Sequence, residues 1–159
     1  RKRFGLNLID DIKRNISMAS LHTFVKFGLV NDNEEFKTAS EYRKSMNIKA
    51  PSVLSITGKL SGGNQQKFIV GREMSKAPAL LVASHPTRGV DVGAQGAIWE
   101  VLREARSKGM AIVLISADLE ELIGMSDRLL VMLRGTVTAE LDPQKTTPEQ
   151  LGSAMTGAA

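Results

Sequence analysis

No cysteine occurs among the 159 residues, which excludes a disulfide framework and cysteine-ligated zinc and fits a cytosolic protein. Histidine is nearly as scarce. His22 and His85 are the only two and lie far apart in the chain, which argues against a histidine metal cluster. Long apolar runs are missing as well. Those that occur, such as Ala111–Ile115, fall far short of the roughly 20 residues that span a bilayer. Any membrane role must therefore come through a partner. No apolar stretch follows the basic start Arg1-Lys2-Arg3, so no signal peptide is visible. An initiator methionine is lacking too; the chain starts mid-pattern, which points to a piece of a longer polypeptide. Neither an internal repeat nor a low-complexity tract interrupts it.

What is present reads as one globular domain with its own core. Hydrophobic residues make up 42% and charged residues 24%, a balance that argues against a disordered tail. The net charge is +4, but the lysines and arginines are scattered. The one tight cluster, Arg1-Lys2-Arg3, is too short for a binding tail, and no nucleic-acid partner is expected.

The first third has helical spacing. Ile9, Ile12, Ile16 and Ala19 fall on one face, widened by Leu8 and Met18. Phe24 to Asn33 reads as a connector containing Gly28. Asp32 or Asn33 caps a second helix, Glu34 to Met46, with Phe36, Ala39, Tyr42 and Met46 on one side. Ala50-Pro51-Ser52 ends it. From residue 60 onward helices and strands alternate. The pattern predicts a helix over Asn64–Ser75, a short buried strand over Ala79–Ala83 and a helix within Val92–Lys108, ended by Gly109. A second apolar strand follows over Ala111–Ser116. Asp118 with Glu121 forms a capping box for a helix over Leu119–Met125. Leu129–Leu133 and Thr136–Leu141 flank Arg134-Gly135 as a hairpin. Thr147-Pro148-Glu149-Gln150 opens a last helix that frays into Gly157-Ala158-Ala159. Such alternation argues for an α/β core of parallel strands preceded by a helical segment.

The most informative stretch is Leu60-Ser61-Gly62-Gly63-Asn64-Gln65-Gln66-Lys67. Glycines let a backbone turn sharply and come close to a ligand. A helix that starts there aims unpaired N–H groups and its positive dipole end outward. That suits a phosphate, with Ser61 adding a hydroxyl donor. A lone Ser-Gly-Gly is far more often a surface turn before a helix. The whole octet, however, resembles the signature motif of ATP-binding-cassette (ABC) ATPases, in the form found in importers of simple sugars and nucleosides.

The resemblance extends over nearly the whole chain. Leu80-Leu81-Val82-Ala83-Ser84-His85-Pro86-Thr87 looks like a Walker B region, Arg88-Gly89-Val90-Asp91 like a D-loop, and Ile112 to Asp118 like a switch strand. Asn-Gln-Gln-Lys combined with Pro-Thr-Arg-Gly-x-Asp-Val-Gly-Ala is similar to the second ATPase half of fused sugar and nucleoside importers. Residues 1–49 look more like the monosaccharide branch and residues 60–159 more like the nucleoside branch, as a mosaic would. The resemblance implies a partial P-loop-type core of parallel strands with helices over residues 77–159. A helical signature subdomain over residues 1–76 would precede it.

Four departures from the family pattern fall together. No G-x-x-x-x-G-K-[ST] phosphate cradle occurs; Gly58-Lys59 lacks both the upstream glycine and the following hydroxyl. Ser84 stands where the family has the Walker B aspartate that serves Mg²⁺. His85 replaces the catalytic glutamate, and Ala117 the switch histidine. Phosphoryl transfer depends on positioning and charge from a lysine, a metal and a water-orienting group, so the isolated chain is expected to be inactive. The signature is intact, and in the family it closes over ATP held by the opposite ATPase half. The resemblance therefore implies that Ser61, Gly62, Gly63 and Gln65 contact the partner's ATP. Asp91 is either a helix cap or a D-loop interface residue, and His85 either a residue behind the site or a base.

Expected partners are the other ATPase half, a transmembrane permease and, indirectly, a periplasmic or lipoprotein substrate-binding protein. ATP and Mg²⁺ are the cofactors of the assembled transporter, at the cytoplasmic face of the membrane. Leu21, Phe24, Val25, Phe27, Leu29 and Val30 are candidates for the permease contact. Two rival readings are a non-transport ABC protein and a stand-alone protein-interaction module.

Overall fold

The computed structural model describes residues 5–74, 76 and 78–157. Arg1-Lys2-Arg3, Ser75 and Ala158-Ala159 lie outside the described residues. The chain divides into two compact units. One runs from the first described residue to Leu81 and includes Thr87–Met110; the other holds Val82–Pro86 and everything from Ala111 onward.

The first unit is mostly helical. Helix α1 spans Ile12–Ser17 and is capped by Asp11, whose carboxylate accepts from Arg14 N–H. The expected helix face from Ile9 is therefore too long at its start. Ile9 lies ahead of the cap and is 85% exposed, and Ala19 falls in a separate 3-10 turn over Met18–Thr23. The expected connector holds a small hairpin, β1 (Val25–Lys26) and β2 (Leu29–Val30), in register Val25–Val30 and Lys26–Leu29. Its two-residue turn puts both Phe27 (φ 53°) and Gly28 (φ 81°) in the left-handed region. That is the backbone twist a two-residue hairpin needs, and Gly28 adopts it freely.

Helix α2 (Asp32–Ser45) is capped by Asn31, not by Asp32 or Asn33 as expected. Asn31 accepts from Glu34 N–H, which leaves Asp32, Glu34 and Glu35 as first-turn acids that suit the dipole. Helix α3 (Gly62–Met74) starts two residues earlier than the spacing indicates, because both signature glycines enter the first turn. Helix α4 spans Val92–Ser107, with Ile98, Leu102 and Ala105 buried. Helix α1 packs on α2, α2 on α3, and α3 on α4. The last two contacts depend on glycine: a Cβ at Gly71 would meet Met46 Cγ at 2.6 Å, and one at Gly63 would meet Ala94 Cβ at 2.8 Å.

A buried ion cluster joins α1 to α2. The Lys13 ammonium is paired with Asp32 and lies 3.2 Å from Glu35 Oε2, while the Ser17 hydroxyl donates to Glu35 Oε1. The hydrogen-bonded Asp32 carboxylate is the main reason the Lys13 pKa lies above its ordinary value. Burial opposes that rise and the Glu35 carboxylate adds to it.

Strand β3 (Leu80–Ser84) is hydrogen-bonded to β4 (Ala111–Ile115), and the boundary between the units falls inside β3. The chain order strand–helix–strand makes this a crossover pair, the unit of a parallel sheet. The first was expected to be buried, yet Leu80 and Val82 are exposed, as are Val113 and Ile115 on the second. Two strands alone cannot cover both faces of a parallel sheet.

The second unit has its own core. Strands β5 (Leu129–Leu133) and β6 (Thr136–Leu141) pair antiparallel with a bulge at Val131/Met132, and Arg134 (φ 50°) with Gly135 (φ 83°) make the expected turn. Leu129, Val131 and Leu151 are buried together, packed by side chains of α5 (Leu119–Met125) and α6 (Pro148–Thr156). The Thr147–Gln150 capping box forms in full. At Asp118 only half of the expected box forms. Its carboxylate accepts from Glu121 N–H at 3.1 Å, but its own N–H donates to Ser116 Oγ, and the Glu121 side chain is buried.

Candidate functional site

The signature residues gather at the N-terminus of α3. Ser61 is exposed and stands immediately before the helix. Its carbonyl accepts from Gln65 N–H at 2.9 Å, and its Oγ accepts from Asn64 N–H at 3.4 Å, so it acts as the helix cap. The same Oγ also accepts from Asn64 Nδ2 at 2.9 Å. With both lone-pair directions engaged by donors, the hydroxyl proton is the part of the group left to point outward. Asn64 is fixed in turn, because its Oδ1 accepts from Lys49 N–H at 3.0 Å.

Gly63 is buried against the start of α4. A Cβ there would lie 3.0 Å from Asp91 Oδ2 as well as against Ala94. Asp91 is the N-cap of α4 and accepts from Ala94 N–H at 2.9 Å. The capping role is thus realised, and the exposed Asp91 carboxylate sits beside Gly63. The fold brings Ser61, Gly62, Gly63 and Asp91 together at the adjoining starts of two helices.

Gln65 is placed differently. It is 2% exposed, and its Nε2 donates inward to the carbonyls of Thr57 and Leu60, each at 3.2 Å. Its Oε1 is buried with no hydrogen-bond partner. The side chain holds the entry to the loop from below and does not line its surface. Lys67 is also buried, with its ammonium donating to the Asn47 carbonyl at the end of α2. Its pKa is lowered, first by burial and then by the nearby Lys49 charge, against a smaller opposite effect of Asp91. Sequence reasoning missed the supporting roles of Asn64 and Lys67. The only signal for them is their position in the octet, since neither spacing nor charge reveals a side chain that reaches back across a loop.

The other three predicted positions belong to the second unit. Ser84 ends β3 and is exposed. His85 is half-buried with a left-handed backbone, φ 47°, and its N–H donates to the Ile115 carbonyl at 2.7 Å. Ala117 is exposed between β4 and α5. The donors at these positions do not suit Mg²⁺. A hard divalent cation takes carboxylate oxygens, and a serine hydroxyl, an imidazole and a methyl group supply none. Among the described residues no group of three or more His, Cys, Asp or Glu side chains is placed to hold a metal.

A cleft of about 440 Å³ opens at the far ends of α3 and α4, lined by Met74, Pro78, Val101, Ala105 and Met110 among others. Its lining is mostly apolar but includes Glu104 and Lys108, and none of the Leu60–Lys67 residues line it. No described helix is long and apolar enough to cross a membrane.

No protein-family model matches the chain. It is 40% identical over 157 residues to the xylose import ATP-binding protein XylG of Geobacillus kaustophilus, covering 99% of this chain and 31% of that protein. It is 41% identical over 152 residues to the ribose import ATP-binding protein RbsA of Clostridium tetani, covering 95% and 30%. The chain thus spans about a third of the length of the curated relatives it matches. Among solved structures it is similar in fold to the dimeric ATP-binding cassette MJ0796 in a post-hydrolysis state bound to ADP and Pi. The TM-score is 0.74 at 20% identity, over 90% of this chain and 61% of that one. With the octet at the start of α3 and homology to ATP-binding proteins of xylose and ribose importers along almost its entire length, this chain belongs to the ABC-type ATPases.

Proposed function

We propose that this chain supplies the signature side of an ATP site in a simple-sugar importer, to a nucleotide held by the other ATPase half. The observation that carries this reading is the Ser61 hydroxyl. It is exposed, its lone pairs are engaged by Asn64, and it stands with Gly62 and Gly63 at the start of a 13-residue helix. Such a donor set suits the negative charge of a nucleotide's phosphates. Asp91, beside Gly63, belongs to the same surface. Gln65 contributes from beneath, by fixing the loop.

On this reading the other half holds Mg²⁺, the phosphate-binding lysine and the water-orienting carboxylate. The positions Ser84, His85 and Ala117 belong to a second site that has lost the groups needed for hydrolysis. The sugar class follows the relatives, whose names give xylose and ribose; a nucleoside cargo is the alternative within the family. The assembled protein would sit peripherally on the cytoplasmic face of the membrane, bound to permease subunits and served indirectly by a substrate-binding protein. Leu21, Val25, Phe27, Leu29 and Val30 are exposed on and beside the β1–β2 hairpin and form the candidate permease contact. Phe24 is buried and leaves that set.

The test is to titrate ATP into the competent ATPase half with and without this chain. The proposal expects tighter ATP binding with the chain, lost in Ser61→Ala. An unchanged affinity would favour a stand-alone interaction module. A chain that tightens ATP binding but captures no permease would favour a non-transport ABC protein.

A further inference from the structure

The octet explains what the signature presents, but not what fixes it in place. A continuous chain of buried polar groups runs beneath it. Asn15, on α1, is 1% exposed, and Thr57, in the 3-10 turn before the signature, is fully buried. Asn15 Nδ2 donates to Thr57 Oγ1 at 3.1 Å and to the carbonyls of Asn7 and Asp11, each at 2.9 Å. Asn15 Oδ1 accepts from Asn7 N–H at 2.8 Å. From Thr57 the chain continues upward. Its carbonyl accepts from Leu60 N–H and from Gln65 Nε2, each at 3.2 Å. Gln65 Nε2 also holds the Leu60 carbonyl, one residue before Ser61.

Backbone contacts dock the same turn on the segment before α1. Thr57 N–H donates to the Asp10 carbonyl at 2.9 Å and Gly58 N–H to the Leu8 carbonyl at 3.0 Å. The approach at Gly58 is so close that a Cβ would lie 2.6 Å from that carbonyl oxygen.

Burying so many polar atoms is not the cheapest way to fill this space. Leucine at position 15 and valine at 57 would remove the desolvation cost. Although Gln65 Oε1 is left without a hydrogen-bond partner, the bonds this network does make fix direction and register, because they form in one arrangement only. Directional fixing is what a loop needs when it must aim one hydroxyl at a single charged atom group.

We infer that Asn15 and Thr57 are positioning residues for the signature: through Gln65 they set the angle at which the chain enters Ser61, and so the direction of the Ser61 hydroxyl. The inference rests on the signature-donor reading. Neither residue touches nucleotide; both act through the loop.

The test is a double-mutant cycle in the full-length ATP-binding protein assembled with its membrane subunits, reading kcat and KM for MgATP. Thr57→Val keeps shape and removes the acceptor, whereas Thr57→Ser keeps the acceptor. Thr57→Val should lower kcat/KM about 5-fold or more, the size of one lost buried hydrogen bond, and Thr57→Ser should restore it. In a Ser61→Ala background Thr57→Val should have almost no further effect, because both act on one hydroxyl. If the two effects multiply instead, or if Thr57→Val lowers Tm alone with kcat/KM unchanged, the relay is refuted and the signature reading stands. If Ser61→Ala itself leaves kcat/KM unchanged, the signature reading fails and the relay with it. Asn15→Leu repeats the cycle from the other end of the network. Failure of both Thr57→Val and Asn15→Leu to assemble would make the network a folding element and overturn the positioning role.

Discussion

The signature region and the β3–β4 region share one chain but are finished to different degrees. Around Ser61 nearly every polar group has a protein partner, and the glycines at 58, 63 and 71 sit against neighbours with no room for a methyl group. Around β3 and β4 the reverse holds. Leu80, Val82, Val113 and Ile115 are apolar and exposed, and among the described residues the strands pair only with each other. The chemistry differs in the same direction. On the proposed reading the first region keeps its donors, while Ser84, His85 and Ala117 replace acid, base and switch in the second. A region that presents a ligand-binding edge must be complete in itself, because its geometry is its function. The exposed apolar residues of β3 and β4 alternate along each strand and so lie on one face, which the described residues leave open.

The comparison would break most visibly in a full-length transporter. Gly62→Asp should reduce ATPase activity and transport on the order of 10²-fold or more, by placing a carboxylate where a phosphate must approach. Ser84→Ala and His85→Ala should change both by less than about 3-fold, since on the proposed reading that side takes no part in hydrolysis. The reverse pattern in paired ATPase and uptake assays would invert the roles of the two regions. For the isolated chain the same comparison expects no Mg-ATPase activity above buffer. Turnover abolished by His85→Ala would instead promote His85 to a base.

Stability offers a second comparison. Lys13→Met leaves Glu35 buried without its cation and should cost about 3–5 kcal/mol. Val113→Thr, on the open sheet, should stay within about 0.5 kcal/mol, as at an exposed position. Denaturant unfolding of the two variants measures both. Equal costs would mean that β4 is covered in solution, for instance by a second copy, and sedimentation at two concentrations would reveal it.

Glycine substitutions sharpen the comparison on a smaller scale. Gly63→Ala should cost about 1–3 kcal/mol by crowding Ala94 and Asp91. Gly96→Ala, in the same α3–α4 region but facing open space within α4, should add about 0.5–1 kcal/mol. Thermal unfolding of the pair should therefore move in opposite directions.

The smallest effect concerns pH. Lys13 has a raised pKa in the folded chain. Its contribution is fully present below the ordinary lysine value of 10.5 and is lost as pH climbs above it through the folded value. Lys67 has the opposite sign. Its pKa is lowered by burial, so the unfolded chain binds the proton more tightly. Stability should therefore rise with pH through the lowered value up to 10.5. Lys67→Met should abolish that rise and Lys13→Met the alkaline fall, each read from unfolding midpoints across the alkaline range.

The legibility of the sequence follows the range of the interactions involved. Strands β5 and β6, the Arg134-Gly135 turn and the Thr147–Gln150 capping box were readable to the residue, because each is set by neighbours a few positions apart. Helix starts were less so. Asn31 competes with Asp32 and Asn33 as a cap, and three adjacent residues of the same capping type cannot be ranked from spacing alone. The Val25–Val30 hairpin was hidden because its turn uses Phe27 in a conformation that phenylalanine seldom adopts.

The sequence by itself determined the order of elements and, through the Leu60–Lys67 octet, the family, since both are written in residue type and spacing. Tertiary structure alone decided the direction of side chains. Gln65 turns inward to clamp Thr57 and Leu60, Asn64 holds the Ser61 hydroxyl, Lys67 caps the end of α2, and Asp91 comes beside Gly63. The Asn64 and Gln65 bonds are local, but Lys67 and Asn47 lie 20 positions apart and Asn15 and Thr57 42, and pairings at that distance exist only once packing has brought the backbone together.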